Sequence, residues 1–158
     1  MDLPTHRLDP RMLKVWRQGS LVAIAVTLAI AAIAVALALH FSWPLPIVCG
    51  IAAAILLIEL IDLAISPRIQ YETWRYDVTP TDVDLYTGIF VKKRIIVPLV
   101  RVQHVESKQG PIMKANGLAS VLVSTAGESF EIPGLAEAEA AELRDRVAEL
   151  ARLAKEDV

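Results

Sequence analysis

The densest run of basic side chains in this sequence is Lys92-Lys93-Arg94, and Arg101 follows seven residues later. Clustered cations can bind the phosphates of anionic lipid headgroups, at about 1 kcal/mol per charge near a membrane surface. They can equally pair with the carboxylates of a partner protein. From Tyr71 to the C-terminus, however, 14 acidic residues outweigh 11 basic ones, so long-range attraction of anions is not expected. The four residues are candidates for contact with lipid or a partner, and an ordinary solvated strand face is the alternative.

Glu59 and Asp62 are acidic residues within an otherwise apolar run, Leu45 to Ile65. Three positions apart, they would share one face of a helix. Ionisable groups inside lipid are costly and often functional. Lys14 and Arg17 precede a second apolar run, and an antiparallel arrangement of the two runs is expected to bring them near the acids. Two hypotheses stay open: an intramembrane polar cluster that joins helices or copies of the chain, and a site for ion or peptide transport.

The sequence contains no pattern typical of a catalytic, metal or cofactor site. Its single cysteine, Cys49, lies within an apolar run and provides no thiolate pair, and the three histidines are scattered. The serines lack the G-x-S-x-G context of a nucleophile elbow, and no glycine-rich phosphate loop is present. We therefore predict that the chain is not an enzyme and binds no cofactor or metal. The acidic balance of the C-terminal part also argues against a nucleic-acid partner.

Two apolar runs dominate the N-terminal part of the chain. Residues 20–39 carry no charged side chain, and only five residues separate them from the run at 45–65. Each run is long enough, at about 1.5 Å per helical residue, to cross a hydrocarbon core of about 30 Å. The predicted organisation is an N-terminal segment (1–19), a first transmembrane helix (20–39), an external connector (40–44), a second transmembrane helix (45–65) and a C-terminal domain (66–158).

The distribution of basic residues predicts the orientation of this hairpin. The connector contains no Lys or Arg, whereas basic residues precede the first run and follow the second: Arg7, Arg11, Lys14, Arg17, Arg68 and Arg75. By the positive-inside rule, both termini and the C-terminal domain are expected in the cytoplasm.

Beyond Ser66-Pro67 the hydrophobic pattern changes to period two, which is typical of half-buried strands. The alternation and the turn residues predict six or seven short strands, a short helical turn and a final amphipathic helix. Pro133-Gly134 is expected to separate the sheet from that helix. The expected strands are 71–78, one around 83–85, 89–97, 99–106, one around 121–123 and one around 130–132; the helical turn is 112–118, and the helix is 136–155.

The order of these parts resembles the bacterial PH-like membrane proteins of the YdbS type. The resemblance is carried by the aromatic strand Trp74-Arg75-Tyr76, the glycine-led basic segment from Gly88 to Pro98, and the closing motif Ile132-Pro133-Gly134-Leu135. It implies an α+β membrane protein: a two-helix transmembrane hairpin followed by a PH-like antiparallel β sandwich or barrel, capped by a C-terminal α-helix. It also implies a location in the inner membrane of a bacterium and a link with envelope stress or antimicrobial-peptide resistance.

The function predicted from these observations is that of a membrane-anchored binding or assembly module. Such a module would scaffold itself, or a second membrane protein with PH-like domains, at the cytoplasmic face of the bilayer. The first alternative is a sensor of anionic lipid headgroups that uses the basic strand. The second is an accessory subunit of an ion or peptide exporter that uses Glu59 and Asp62.

Overall fold

The computed structural model describes residues 3–156, which form seven β-strands, four α-helices and one 3₁₀ turn. The chain divides into two compact units, each described by itself below: Trp16–Arg68, and the segments up to Val15 and from Ile69 together. In chain order the elements are β1 (His6–Arg7), α1 (Met12–His40), α2 (Leu45–Thr73), β2 (Arg75–Val78), β3 (Asp82–Thr87), β4 (Lys93–Pro98), the 3₁₀ turn (Leu99–Arg101), β5 (Val102–Lys108), α3 (Pro111–Ala115), β6 (Leu118–Thr125), β7 (Ser129–Ala136) and α4 (Glu137–Glu156).

The first unit contains most of helices α1 and α2, which are both long and apolar enough to cross a membrane. Large apolar side chains along them are exposed, for example Ile30 at 61% and Ile58 at 67%. A helix that is apolar all round and carries its apolar side chains on the outside is suited to lipid rather than water. Each helix has 29 residues, so both extend beyond the predicted spans.

Helix α2 continues through Pro67 to Thr73, and the expectation of a strand beginning at Tyr71 was wrong. A proline inside a helix removes one backbone hydrogen bond and bends the helix without having to end it. The end of α2 is supported locally, because the Thr73 hydroxyl donates to the carbonyl oxygen of Ile69 at 2.7 Å. Strand β2 therefore begins only at Arg75, with Trp74 as the single intervening residue.

The second unit contains two antiparallel sheets. The first has the strand order β1-β2-β3-β4, and the second has the order β5-β6-β7. In β2 and β3 the side chains alternate as the sequence predicted, with Tyr76, Val78, Val83 and Leu85 buried. Two antiparallel sheets with a C-terminal helix, after two apolar helices, form the α+β, PH-like architecture that the resemblance implied, and this prediction is confirmed.

The third expected strand is shorter than predicted, and the fourth begins later. β4 starts at Lys93 rather than Ile89, because residues 88–92 form the loop that connects it to β3. Gly88 has φ +135, which side chains rarely adopt, and marks the reversal. Leu99–Arg101 form a 3₁₀ turn instead of the start of a strand. The backbone N–H of Leu99, after Pro98, donates to the carbonyl of Thr81 at 2.9 Å, which fixes this corner.

Pro133 and Gly134 do not end the sheet as expected but lie within β7 as a bulge. Ile132 pairs with Val121 and Leu135 with Ala119, so two residues of β7 oppose the single residue Ser120. A bulge accommodates a proline, which cannot donate to the ladder, and a glycine, which here has φ +65. The strand then continues to Ala136, and α4 begins at Glu137.

The bulge receives the N-terminal segment of the chain, which the sequence had not placed in the fold. The backbone N–H of Asp9 donates to the carbonyl of Gly134 at 2.8 Å. A Cβ on Gly134 would lie 2.6 Å from the Met12 side chain, so only glycine permits this approach. Leu8 and Met12 are 2% and 3% exposed. β1 extends the first sheet by pairing with β2, His6 opposite Tyr76.

The core of the unit lies between the sheets and α4. Its fully buried large side chains come from the 3₁₀ turn, β3, β5, β6, β7 and α4, and include Leu99, Leu118, Ile132, Leu135 and Val147. Helix α4 buries Ala140, Val147 and Ala151, a spacing that places them on one face. Of the stripe that the sequence predicts, Val147 is buried, and the other members are half-buried: Leu143, Leu150 and Ala154.

Candidate functional site

Strand β4 forms one edge of the first sheet. Among the described residues it pairs with β3 alone, in a register that runs from Thr87 opposite Lys93 to Asp82 opposite Pro98. An edge strand presents unpaired backbone N–H and C=O groups that another chain can use. Its Ile96 side chain is 54% exposed, whereas Val97, the next residue, is buried.

Two grooves lie between β4 and the β6–β7 hairpin, and Glu128 and Phe130 line both of them. The larger, of about 660 Å³, also includes Ile96, Val100 and Arg101. The smaller, of about 460 Å³, is lined by Trp74, Leu85, Thr87, Lys93, Ile95 and residues 128–131. We call β4 together with these grooves the β4 edge site. Both linings combine apolar side chains with polar and charged ones, a composition found at protein–protein interfaces.

Arg94 is already neutralised within its own sheet. Its guanidinium makes a bidentate pair with the Asp84 carboxylate, with Nε 3.0 Å from Oδ1 and Nη2 2.6 Å from Oδ2. These hydrogen bonds raise the pKa of Arg94 above its ordinary value. The two residues are cross-strand neighbours on β3 and β4, with Asp84 opposite Ile96 and Arg94 opposite Tyr86. A paired guanidinium has less capacity for an external anion than a free one.

The other predicted basic residues do not form a single patch with Arg94. Lys93 precedes it on β4, and consecutive strand residues point to opposite faces, so Lys93 lines the smaller groove. Arg101 ends the 3₁₀ turn and lines the larger groove. Lys92 lies in the β3–β4 loop and is exposed. The sequence run Lys92-Lys93-Arg94 is therefore divided among a loop, a groove and an internal ion pair.

Sequence reasoning missed the apolar tip of the β3–β4 loop. Phe90 is 95% exposed and Val91 is 81% exposed, the highest values for large apolar side chains among the described residues. The sequence pattern had placed both in a strand, where one of them would face the core. The sequence signal for a reversal at this point is Gly88 itself. In the structure, a Cβ at that position would lie 2.0 Å from the carbonyl oxygen of Val91.

In the helical unit, Glu59 has a different partner from the predicted one. The Thr27 hydroxyl donates to Glu59 Oε1 at 2.7 Å, while Glu59 Oε2 is buried without a hydrogen-bond partner among the described residues. No ion pair joins Glu59 or Asp62 to Arg17 in the described part of this unit, and Asp62 is exposed. Lys14 belongs to the other unit.

The spacing along the hairpin accounts for this pairing. Thr27 and Glu59 each lie 16 residues from Trp43 in the connector, so two antiparallel helices place them at the same height. Arg17 lies 26 residues from Trp43, which corresponds to about 15 Å beyond Glu59 at the helical rise. The sequence contained this register, but the prediction had matched charges instead of distances from the connector.

Titratable groups elsewhere form a small cluster around Tyr76. Its hydroxyl donates to Glu139 Oε1 at 3.2 Å, and burial, together with the nearby Glu139 carboxylate, raises the pKa of the phenol. The His6 ring stacks on the Tyr76 ring with centroids 5.4 Å apart. Within residues 3–156, no three His, Cys, Asp or Glu side chains are grouped so that they could hold a metal ion.

Comparison with known proteins agrees with this architecture. The family model described as "Bacterial PH domain" matches residues 11–151. The chain belongs to the bacterial PH domain family. It is also 41% identical, over 157 residues and 99% of both chains, to a family member from Bacillus subtilis (strain 168) named "UPF0699 transmembrane protein YdbS". No solved structure matches. The chain is thus a transmembrane protein with a bacterial PH domain, located in a membrane.

Proposed function

We propose that this protein is a membrane-anchored binding and assembly module rather than an enzyme. Its PH-like domain captures an extended segment of a second copy, or of another membrane protein, at the cytoplasmic face. The observation that carries the proposal is the free edge of β4, which lies beside two grooves shared with the β6–β7 hairpin. A role in envelope stress or antimicrobial-peptide resistance, implied by the resemblance, would be exercised through that partner.

The β4 edge site has both components of strand addition. The unpaired backbone of an edge strand supplies hydrogen bonds, and neighbouring pockets select alternate side chains of the added strand. Exposed Ile96 and half-buried Phe130 supply apolar contact in the larger groove, while Arg101 and Glu128 supply charges of both signs. A partner strand with apolar residues at every second position and polar residues between them fits this combination.

The N-terminal strand supports an arrangement with both termini on one side of the membrane. β1 precedes α1, and β2 follows α2, yet the two strands are hydrogen-bonded neighbours in one sheet. Two membrane-crossing helices between them satisfy that pairing, because an even number of crossings returns the chain to its starting side. The basic residues that flank the helices favour the cytoplasm as that side.

Anchoring increases the effective concentration of the domain near membrane partners. Only Trp74 lies between the end of α2 and the start of β2, so the domain follows its anchor without a flexible linker. A weak edge contact then suffices, because partners confined to the same bilayer meet at high local concentration.

The test is the mass of the full-length protein extracted directly into native nanodiscs. We expect a discrete multimer, or a stoichiometric complex with another membrane protein, and we expect Ile96→Lys to dissociate it. The matched control is Leu153→Lys, which alters a 42% exposed apolar side chain on α4, outside the lining of both grooves. A monomer without accompanying protein, or equal loss of the complex in both variants, would overturn the proposal.

A further inference from the structure

The β3–β4 loop, residues 88–92, exposes two large apolar side chains at its tip. Phe90 and Val91 are 95% and 81% exposed, whereas most large apolar residues of the same unit are buried or half-buried. Isolated surface leucines or valines are ordinary. Two adjacent, almost fully exposed residues at the tip of a loop instead form a small apolar patch.

Two lysines follow this apolar patch directly in the sequence. Lys92 and Lys93 are both exposed, and no acidic residue occurs between Thr87 and Lys93. The ion pairs among the described residues do not include either lysine, in contrast to Arg94, whose charge is held by Asp84. The loop therefore combines two apolar side chains with the charge of Lys92, and Lys93 follows as the first residue of β4.

The loop is closed firmly at its base. The β3–β4 ladder extends to the pair Thr87–Lys93, immediately beside the loop. At Gly88 the positive φ and the close approach of the Val91 carbonyl leave no room for a side chain. The tip is thus presented on a short, constrained connection.

We propose that Phe90 and Val91 insert into the interface of an anionic bilayer, with Lys92 and Lys93 against lipid phosphates. Apolar side chains enter the boundary between headgroups and acyl chains, while adjacent lysines are attracted by anionic lipid. The occupant is a bilayer, because the loop that carries the apolar tip, residues 88–92, contains a lysine and no acidic residue. A lipid surface offers acyl chains below phosphates in that order, and the chain itself carries two candidate membrane spans. Phe90, Val91 and Lys92 lie outside the β4 edge site, whereas Lys93 also lines its smaller groove. The inference does not depend on capture of a partner strand.

The experiment uses full-length protein in nanodiscs with a single labelled cysteine. In a Cys49→Ser background, Val91→Cys carries an environment-sensitive fluorophore, and Leu153→Cys is the matched exposed control site. Discs contain phosphatidylcholine alone or with phosphatidylglycerol, each with or without lipids that carry a doxyl quencher in the acyl chain. We expect doxyl quenching at position 91 in the anionic discs and none at position 153.

Substitutions then separate the two components of insertion. Lys92→Gln with Lys93→Gln is expected to lower the ratio of inserted to free loop on the order of 30-fold, at about one lysine contribution each. Phe90→Ser should also reduce quenching, and Phe90→Leu should restore most of it.

Three results would overturn the inference. One is a water-exposed label at position 91 in every disc. The second is a blue-shifted label that doxyl lipids do not quench, which would indicate contact with protein, including a second copy. The third is quenching that is unaffected by loss of both lysines and independent of anionic lipid.

Discussion

Truncation of Leu8 to alanine is expected to loosen the N-terminal segment from the PH-like domain. Leu8 is 2% exposed, and the segment around it is held by the β1–β2 pairing and by the bond from Asp9 to Gly134. Leu→Ala at buried sites costs roughly 2–5 kcal/mol. The segment lies at the edge of a sheet and can partly collapse into the space, so we expect the lower part of that range, about 2–3 kcal/mol.

Hydrogen exchange of the full-length protein in nanodiscs measures this change locally. A loss of about 2 kcal/mol raises the population of the undocked segment on the order of 30-fold, and exchange of amides that open with it rises by the same factor. The amides to follow are those of β1, of its partner β2 and of the β7 bulge around Gly134. Amides at the centre of β6 should change less, because they report on opening of the core.

Leu3→Ala provides the matched control, since Leu3 is in the same segment but 50% exposed. Exposed substitutions of this kind usually change stability by less than about 0.5 kcal/mol, which corresponds to roughly a twofold change in exchange. Equal exchange in the two variants would refute the reasoning. It would mean that the N-terminal segment is not a packed part of the domain and that β1 contributes nothing to its stability.

Two further predictions concern the same junction. Gly134→Ala should destabilise the domain by about 1–3 kcal/mol in denaturant titration, because the added Cβ meets Met12 and the backbone has φ +65. The control, Gly127→Ala, should have little effect, because no atom lies near its Cβ. The side-chain hydrogen bond from Arg11 is the main cause that lowers the pKa of Asp9 in the folded protein. The contribution of Asp9 to folding stability is therefore present above its ordinary pKa of 3.8 and is lost as the pH falls through the lower pKa of the folded state. Asp9→Asn should therefore lower the free energy of unfolding at pH 6 and make that free energy fall less steeply below pH 4. An unchanged dependence on pH below pH 4 would contradict this prediction.

Most of the fold followed from local patterns in the sequence. The two apolar runs, the alternation in β2 and β3, and the stripe on α4 each reflect a periodicity that one element imposes on its own residues. The predicted ends of helices and strands were less accurate at proline and glycine, because these residues can lie inside an element as well as end it. Pro67 lies within a helix and Pro133-Gly134 within a bulge, and both had been interpreted as ends of elements.

The candidate site was less accessible to prediction because it depends on pairing between distant segments. The β4 edge exists because β3 pairs on one side and no strand within residues 3–156 pairs on the other, which local periodicity does not encode. The three basic side chains Lys92, Lys93 and Arg94 are separated because of where β4 begins. A loop longer or shorter by one residue would change the face on which each of them lies. Their adjacency in sequence indicated a patch, but strand geometry sends neighbours to opposite faces.

β1 is the clearest case of structure outside the reach of local reasoning. His6 and Arg7 show no recognisable strand pattern in the sequence. They form a strand because they pair with the edge of β2 and because the β7 bulge binds the backbone of Asp9. The consequence is one of connectivity: a single sheet is built from chain segments on both sides of the two apolar helices. A product that lost its N-terminal segment would leave the β2 edge open and the Gly134 carbonyl without the Asp9 N–H. The docked segment therefore completes a sheet whose other strands all follow the two apolar helices.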